Sequence, residues 1–159
     1  MGNDLSLPFS SPLKVDGGIV GSLTYASQRG RRISGDLNWM SSSLTTALSA
    51  NGSPYTVPRE GVAAIPLTSG EPRFFDPKPE HDITTAARLN SLNRFVFSAA
   101  GVVRPLIEVD PLTGLVRGSY VHPDTKKRVQ VRGIVDQLAN SAAGVVFTEV
   151  RGGFRISAP

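Results

Sequence analysis

The sequence predicts an all-β protein, an antiparallel barrel or strongly coiled sandwich of roughly ten strands. Three observations carry that expectation. Two stretches, "GGIVGSLTY" at 17–25 and "TGLVRGSYV" at 113–121, alternate apolar and polar residues with a period of two and read as one phrase written twice. Each is followed by a basic turn and a second alternating stretch. Glycine occurs 16 times and proline 12 times in 159 residues, the composition of a turn-rich chain of short strands. A chain of this length buries roughly two-thirds of the surface its unfolded form exposes, so one β domain is expected over 1–159, with related hairpins at 17–40 and 114–137.

In the first hairpin, Ile19, Gly21, Leu23 and Tyr25 fall on one face, because successive Cβ atoms of a strand point to opposite sides. Beyond "SQRGRR", Ile33, Gly35, Leu37 and Trp39 continue that apolar face. The distal copy answers with Val116, Gly118, Tyr120 and His122, and beyond "PDTKKR" with Val129, Val131, Gly133 and Val135. In this alignment Gly35 matches Gly133, with one extra residue in the second turn. Glycines at inward strand positions mark bulges, bends or close approach of another backbone. Kinks are therefore expected at Gly21, Gly35, Gly118 and Gly133, and the two ribbons are expected to share one interior.

Between the hairpins, "SLTTALSANGSPYTVP" predicts a strand, a turn at Asn51-Gly52 and a second strand stopped by Pro58, and "GVAAIPL" predicts a buried strand. The prolines of "SGEPRFFDPKPEHD" point to a loop or a sheet edge. In "ITTAARLNSLNRFVFSAAG" the spacing of Ala86, Leu89, Asn93 and Val96 favours a short helix or turn, followed by a strand at "RFVFS". "RPLIEVDPLTG" reads as a strand entering a turn made by Asp110, Pro111, Thr113 and Gly114, and "GVVFTEVRGGFRIS" as two strands around "RGG".

Without cysteine the chain forms no disulfide and no thiolate metal site, and two histidines are too few for a structural zinc, so no cofactor is expected. No apolar run reaches the length of a membrane helix. The first residues lack the basic and apolar blocks of a leader, so the sequence is expected to be a mature form or a piece of a longer chain. The excess of 17 basic over 13 acidic residues, a net +4, implies modest, salt-sensitive attraction to polyanions. The basic hairpin tips, Arg29, Arg31 and Arg32 in one and Lys126, Lys127 and Arg128 in the other, are the candidate anion contacts. The plainer reading is that such residues keep turns soluble and strand edges apart. Nucleic acid is disfavoured, because aromatic residues do not alternate with basic ones.

The catalytic candidates are Asp136, Glu108, His122 and His81. Two carboxylates whose pKa values are driven apart, among Glu108, Asp110 and Asp136, are what glycoside or ester hydrolysis would need. His81 sits between Glu80 and Asp82, and His122 matches Tyr25, which assigns it equally to packing at a strand end. There is no G-x-S-x-G elbow and no phosphate loop. Trp39 with Tyr25, Tyr55 and Tyr120 would suit a sugar platform, although Trp39 continues the inward set and reads as core.

Thr113, Gly114, Gly118, Ser119, Lys127, Arg128, Gly133, Gln137, Gly144, Gly153, Ile156 and Pro159 follow a pattern: a "TG" turn, "GS", a basic turn, a glycine, a glutamine, then glycine-led closing strands. In this the distal third resembles a C-terminal module of large secreted or surface proteins of environmental bacteria. The proximal hairpin looks like the one that opens the same module. The resemblance implies an all-β fold and a secreted or cell-envelope setting, and it lends no catalytic residue. Asp136 and Asp36 depart from it, standing where apolar or aromatic residues are usual. Two functions are thus expected: a non-catalytic interaction or structural β module that takes a polysaccharide or other polyanion, or a small hydrolase with a carboxylate and histidine site.

Overall fold

The computed structural model describes residues 5–12, 17–26, 32–75, 83–98, 103–147 and 151–158. Strand accounts for 65% of them and no helix is present among them, so the chain is all-β as the alternation predicts. The strands in chain order are β1 Leu5–Pro12, β2 Gly18–Ala26, β3 Arg32–Met40, β4 Thr45–Gly52, β5 Glu71–Phe75, β6 Ile83–Thr84, β7 Ala87–Leu89, β8 Phe95–Phe97, β9 Val103–Val109, β10 Leu115–Val121, β11 Arg128–Asp136, β12 Ser141–Phe147 and β13 Arg151–Ser157. They form three sheets, in the orders β1-β2-β3-β4, β6-β5-β13-β12-β11-β10-β9 and β7-β8. Every pairing is antiparallel, and a strongly curled sheet makes a half-barrel. By its contacts the chain divides into two compact units, Met1–Pro54 and Tyr55–Pro159.

The first unit is a meander in strict register. Across its four strands run the rows Leu5-Tyr25-Ile33-Gly52, Leu7-Leu23-Gly35-Ala50, Phe9-Gly21-Leu37-Leu48 and Ser11-Ile19-Trp39-Thr46. Since side chains alternate, these sixteen positions share one face, and the intervening rows, such as Pro8-Ser22-Asp36-Ser49, share the other. β1 escapes sequence reading because Pro8 and Pro12 interrupt its alternation; at a sheet edge the missing amides cost no ladder bond. The Asn51-Gly52 turn signal is overridden, for both residues lie inside β4 opposite Ser34 and Ile33, and residues 53–59 form no strand.

The second unit holds the buried core. Phe74 lies at its centre, with ring centroids 4.8 Å from Tyr120 and 6.2 Å from both Phe97 and Phe154. The inward set of the distal hairpin is as the alternation predicts, since Val116, Tyr120, His122, Val129, Val131 and Val135 are all buried. Phe74 comes from the proline-rich segment expected to be a loop or edge. There β5 runs between β6 and β13, and the buried Pro72 faces Ile156 across the ladder. "GVAAIPL" is buried through Ala64, Ile65 and Leu67 but forms no strand. Of the expected short helix or turn before a strand, the turn is what forms, that of the β7-β8 hairpin, in which Asn90 Oδ1 accepts from the amides of Leu92 and Arg94 and Asn93 turns the chain at φ 58°. Local side-chain capture of backbone donors wins there over a weak helical periodicity.

Residues 55–67 have no ladder and are held by side chains instead. Gln137, in the turn after β11, donates through Nε2 to the carbonyls of Thr56 (2.8 Å) and Ala64 (2.9 Å) and accepts from Thr56 N at 2.7 Å. Ala64 N donates to Asn93 Oδ1 at 2.7 Å.

The repeat is visible in the backbone. Gly17 and Gly114 have φ of 82° and 73°, and Gly21 and Gly118 of 156° and 157°. The β9-β10 ladder shifts register between Ser119 and Val121, just past Gly118, so that glycine does mark an irregularity. The match of Gly35 to Gly133 does not survive. Gly35 pairs with Leu23, whose counterpart Tyr120 pairs with Val129, while Gly133 pairs with Val116. The distal strand has slipped by four positions, 129 to 133, relative to the sequence alignment. An even slip keeps every side chain on its face, which is why alternation could not reveal it. The two ribbons lie in different sheets, and every member of the buried cluster among the described residues comes from the second unit.

Candidate functional site

Of the residues singled out from sequence, His81, Arg29 and Arg31 lie outside the described residues. The others are dispersed, and most are occupied in building turns. His122 directly follows β10 as a buried side chain whose Nδ1 accepts from the amides of Asp124 (3.2 Å) and Thr125 (3.3 Å). Its backbone closes the same tip, His122 N donating to Lys127 O and Lys126 N to His122 O. Committed to two amides, Nδ1 organises the hairpin tip.

Asp136 does the equivalent work after β11, its Oδ1 accepting from Leu138 N at 3.0 Å and Ala139 N at 3.1 Å. Asp110 Oδ1 accepts from Leu112 N at 2.9 Å, and Gly114 N donates to the Asp110 carbonyl at 2.8 Å. The Leu112 amide first, and the Thr113 side chain second, hold the Asp110 carboxyl below the ordinary aspartate value. The ring of Tyr55 covers Gly114, and its hydroxyl donates to the Pro111 carbonyl at 2.9 Å. Burial, and then the neighbouring Asp110 charge, raise the Tyr55 phenol above its usual value.

A depressed carboxylate stabilises the fold above its unfolded pKa and loses that contribution as pH falls through the folded value. The stability difference between the protein and Asp110→Asn is therefore expected to be larger at neutral pH than at pH about 3. Urea denaturation at the two pH values measures it, and an equal difference at both would contradict the assignment. Asp136→Ala is expected to lower stability by about 1 kcal/mol, the usual worth of a side-chain cap on exposed amides, read as a lower urea midpoint.

Glu108 lies on the outer face of β9 between two arginines, with Oε1 3.2 Å from Arg117 Nε and Oε2 3.9 Å from Arg94 Nε. A groove of about 600 Å³ runs beside it, bounded by Leu106, Leu115, Arg117 and Arg132. Arg117 and Arg132 are direct partners across the β10-β11 ladder. Like charges so placed repel, and only Arg117 has a carboxylate to offset this. Arg132 has neither an ion pair nor a side-chain hydrogen bond among the described residues. Arg128, Gln130 and Arg132 alternate along the same exposed face, Arg128 Nε donating to Ser119 Oγ at 2.9 Å. Lys126 and Lys127 are exposed at the tip, which Lys126 helps to turn at φ 56°. One ribbon thus carries five cations from tip to groove. Arg32, the remaining described candidate, opens β3 in the first unit, opposite Ala26.

No family model matches the chain, and no curated protein or solved structure matches it either. Its chemistry must therefore be read from its own residues.

Of the carboxylates singled out from sequence, Asp110 is held below its ordinary value and Glu108 is engaged by Arg94 and Arg117. Among the described residues, no three histidine, aspartate or glutamate side chains gather as a metal site would require, and no helix is long and apolar enough to cross a membrane. Sequence reading missed Arg117 and Arg132. Their alternation was legible, but their juxtaposition depends on the true register: the glycine alignment would have set Arg117 opposite Asp136.

Proposed function

We propose that the chain is a non-catalytic β module of a secreted or surface protein that binds a linear polyanion, an anionic glycan above all, along the β10-β11 ribbon. The observation that carries this reading is the line of cations running from Lys126 and Lys127 through Arg128 to Arg132, with Arg117 opposite. Arg128 and Arg132 are separated by about 13 Å of extended strand, so successive anionic groups of one polymer chain reach both. Binding of this kind draws on counterion release and weakens steeply with salt. Glu108 serves as a positioning residue, holding the guanidinium groups of Arg94 and Arg117 at the groove rim. The small-hydrolase alternative gains no support from the geometry, because Asp136 and His122 each serve a different turn.

Retention on immobilised heparin tests the proposal. The protein is expected to bind at low salt, and Arg132→Gln and Lys126→Gln are each expected to reduce the slope of log affinity against log salt by about one. Arg73→Gln, at a position on β5 already paired with Glu71, is the control. Absence of retention at low salt, or equal loss in the control, removes the proposal.

A further inference from the structure

The first unit is a single sheet with one face that nothing in its own residues covers. The four rows given above place Leu, Ile, Phe, Tyr, Trp and Ala at most positions of that face and Gly, Ser or Thr at the rest, with no charged residue. The opposite face carries mostly Ser, Thr, Asn and Asp36, with Pro8, Pro12, Val20, Met40 and Ala47 among them. Gly21 and Gly35 leave no pits in the apolar face, since Leu37 Cδ2 lies over the first and Leu23 Cδ2 over the second. The result is an even, uncharged surface of the kind that packs sheet against sheet at about 10 Å. None of its residues is buried: Leu5 is 53% exposed, Leu7 51%, Trp39 40% and Leu48 36%. Trp39, expected from sequence to be core, stands on this face.

We propose that this face is a self-association surface, covered in solution by the same face of a second copy of the chain. Two arguments select a second copy as the occupant. The first is area. Four strands at about 4.8 Å spacing and eight residues at about 3.4 Å rise give a face of roughly 500 Å² in projection. Stacking two such faces removes on the order of 1,000 Å² or more from water, the threshold of a specific interface. The second is chemistry. The face holds no charge and carries hydroxyls only at Ser11, Thr46 and Tyr25, all in its two outermost rows, so a two-fold related copy meets it without stranding a polar group in the middle.

Sedimentation of the full chain over a range of concentrations, with the emission of its single tryptophan followed on dilution, tests the proposal. The protein is expected to be a dimer that dissociates on dilution, with Trp39 emission moving to the red as it does so. Leu7→Glu and Trp39→Glu place charges at positions already half exposed, so the separate chain tolerates them, and each is expected to weaken association by roughly a hundredfold or more. Ser22→Glu, on the polar face, is expected to leave the dimer intact. Three results overturn the proposal. A monomer at every concentration with Trp39 emission already blue would assign the cover to the chain's own second unit. A monomer with red emission would mean that nothing covers the face. A dimer that withstands Leu7→Glu but is lost in Ala47→Pro would mean pairing through the free edge of β4.

Discussion

Replacing Phe74 by alanine is expected to lower the stability of the second unit by about 3–5 kcal/mol, the usual cost of emptying a fully buried aromatic site. Its ring contacts Tyr120, Phe97 and Phe154, which come from three other strands, so no single neighbour can move in to fill the space. In the ladder it stands between Ile83 of β6 and Phe154 of β13, where β5 pairs with β6 over only two residues. The adjacent residue supplies the control, because Phe75 points to the other face and is substantially exposed. Phe75→Ala is expected to cost less than about 1 kcal/mol. Urea denaturation followed by far-ultraviolet circular dichroism separates the two. Similar midpoints for the two variants would mean that the inward and outward assignments in β5 are wrong.

Gly118→Ala is expected to be nearly as damaging, at about 2–4 kcal/mol. Two effects add. At φ 157° the backbone is held where residues with a Cβ rarely go, and a Cβ at that position would run into the Leu106 carbonyl of the neighbouring strand. That carbonyl belongs to β9, the edge of the seven-stranded sheet, so relief requires the edge to move away from β10 just where the register already shifts. Gly52→Ala is the contrasting case. No atom lies within 4 Å of the position a Cβ would take there, and the substitution is expected to be neutral or stabilising by a few tenths of a kcal/mol. A Gly118→Ala protein as stable as the parent would remove the argument that this glycine is a structural requirement of the repeat.

The period-two alternation of 115–121 and 129–135 was enough to predict which side chains of the distal hairpin face inward, because one buried face leaves a direct mark on composition. The same signal misled at Trp39, since a sequence shows that a face is apolar but not whether its own chain covers it. The slip of Gly133 past Val129 left no trace, as faces repeat every two residues and registers differing by four look identical. Asp110 holds an amide in the turn its sequence context predicts, whereas Asp136, which its residue type alone marks as a candidate acid, proves to hold amides in a turn as well. Segment 83–97 carried competing signals, and a single asparagine decided between them by capturing two amides at once.

The bonds made by Gln137 tie a late part of the chain to an early one. Thr56 N and Gln137 Oε1 are 81 positions apart in sequence. As the polypeptide emerges from the ribosome, the Leu67 end of the segment Tyr55–Leu67 can be held early, by Asn93 and Leu89, whereas Thr56 lacks its partner until the turn after β11 has been translated. Contacts of such long sequence separation form late, because the intervening chain must first be ordered. A nascent chain stalled before the β11-β12 corner would leave this segment open to proteases, which makes limited proteolysis of C-terminal truncations a direct clock of when the structure locks.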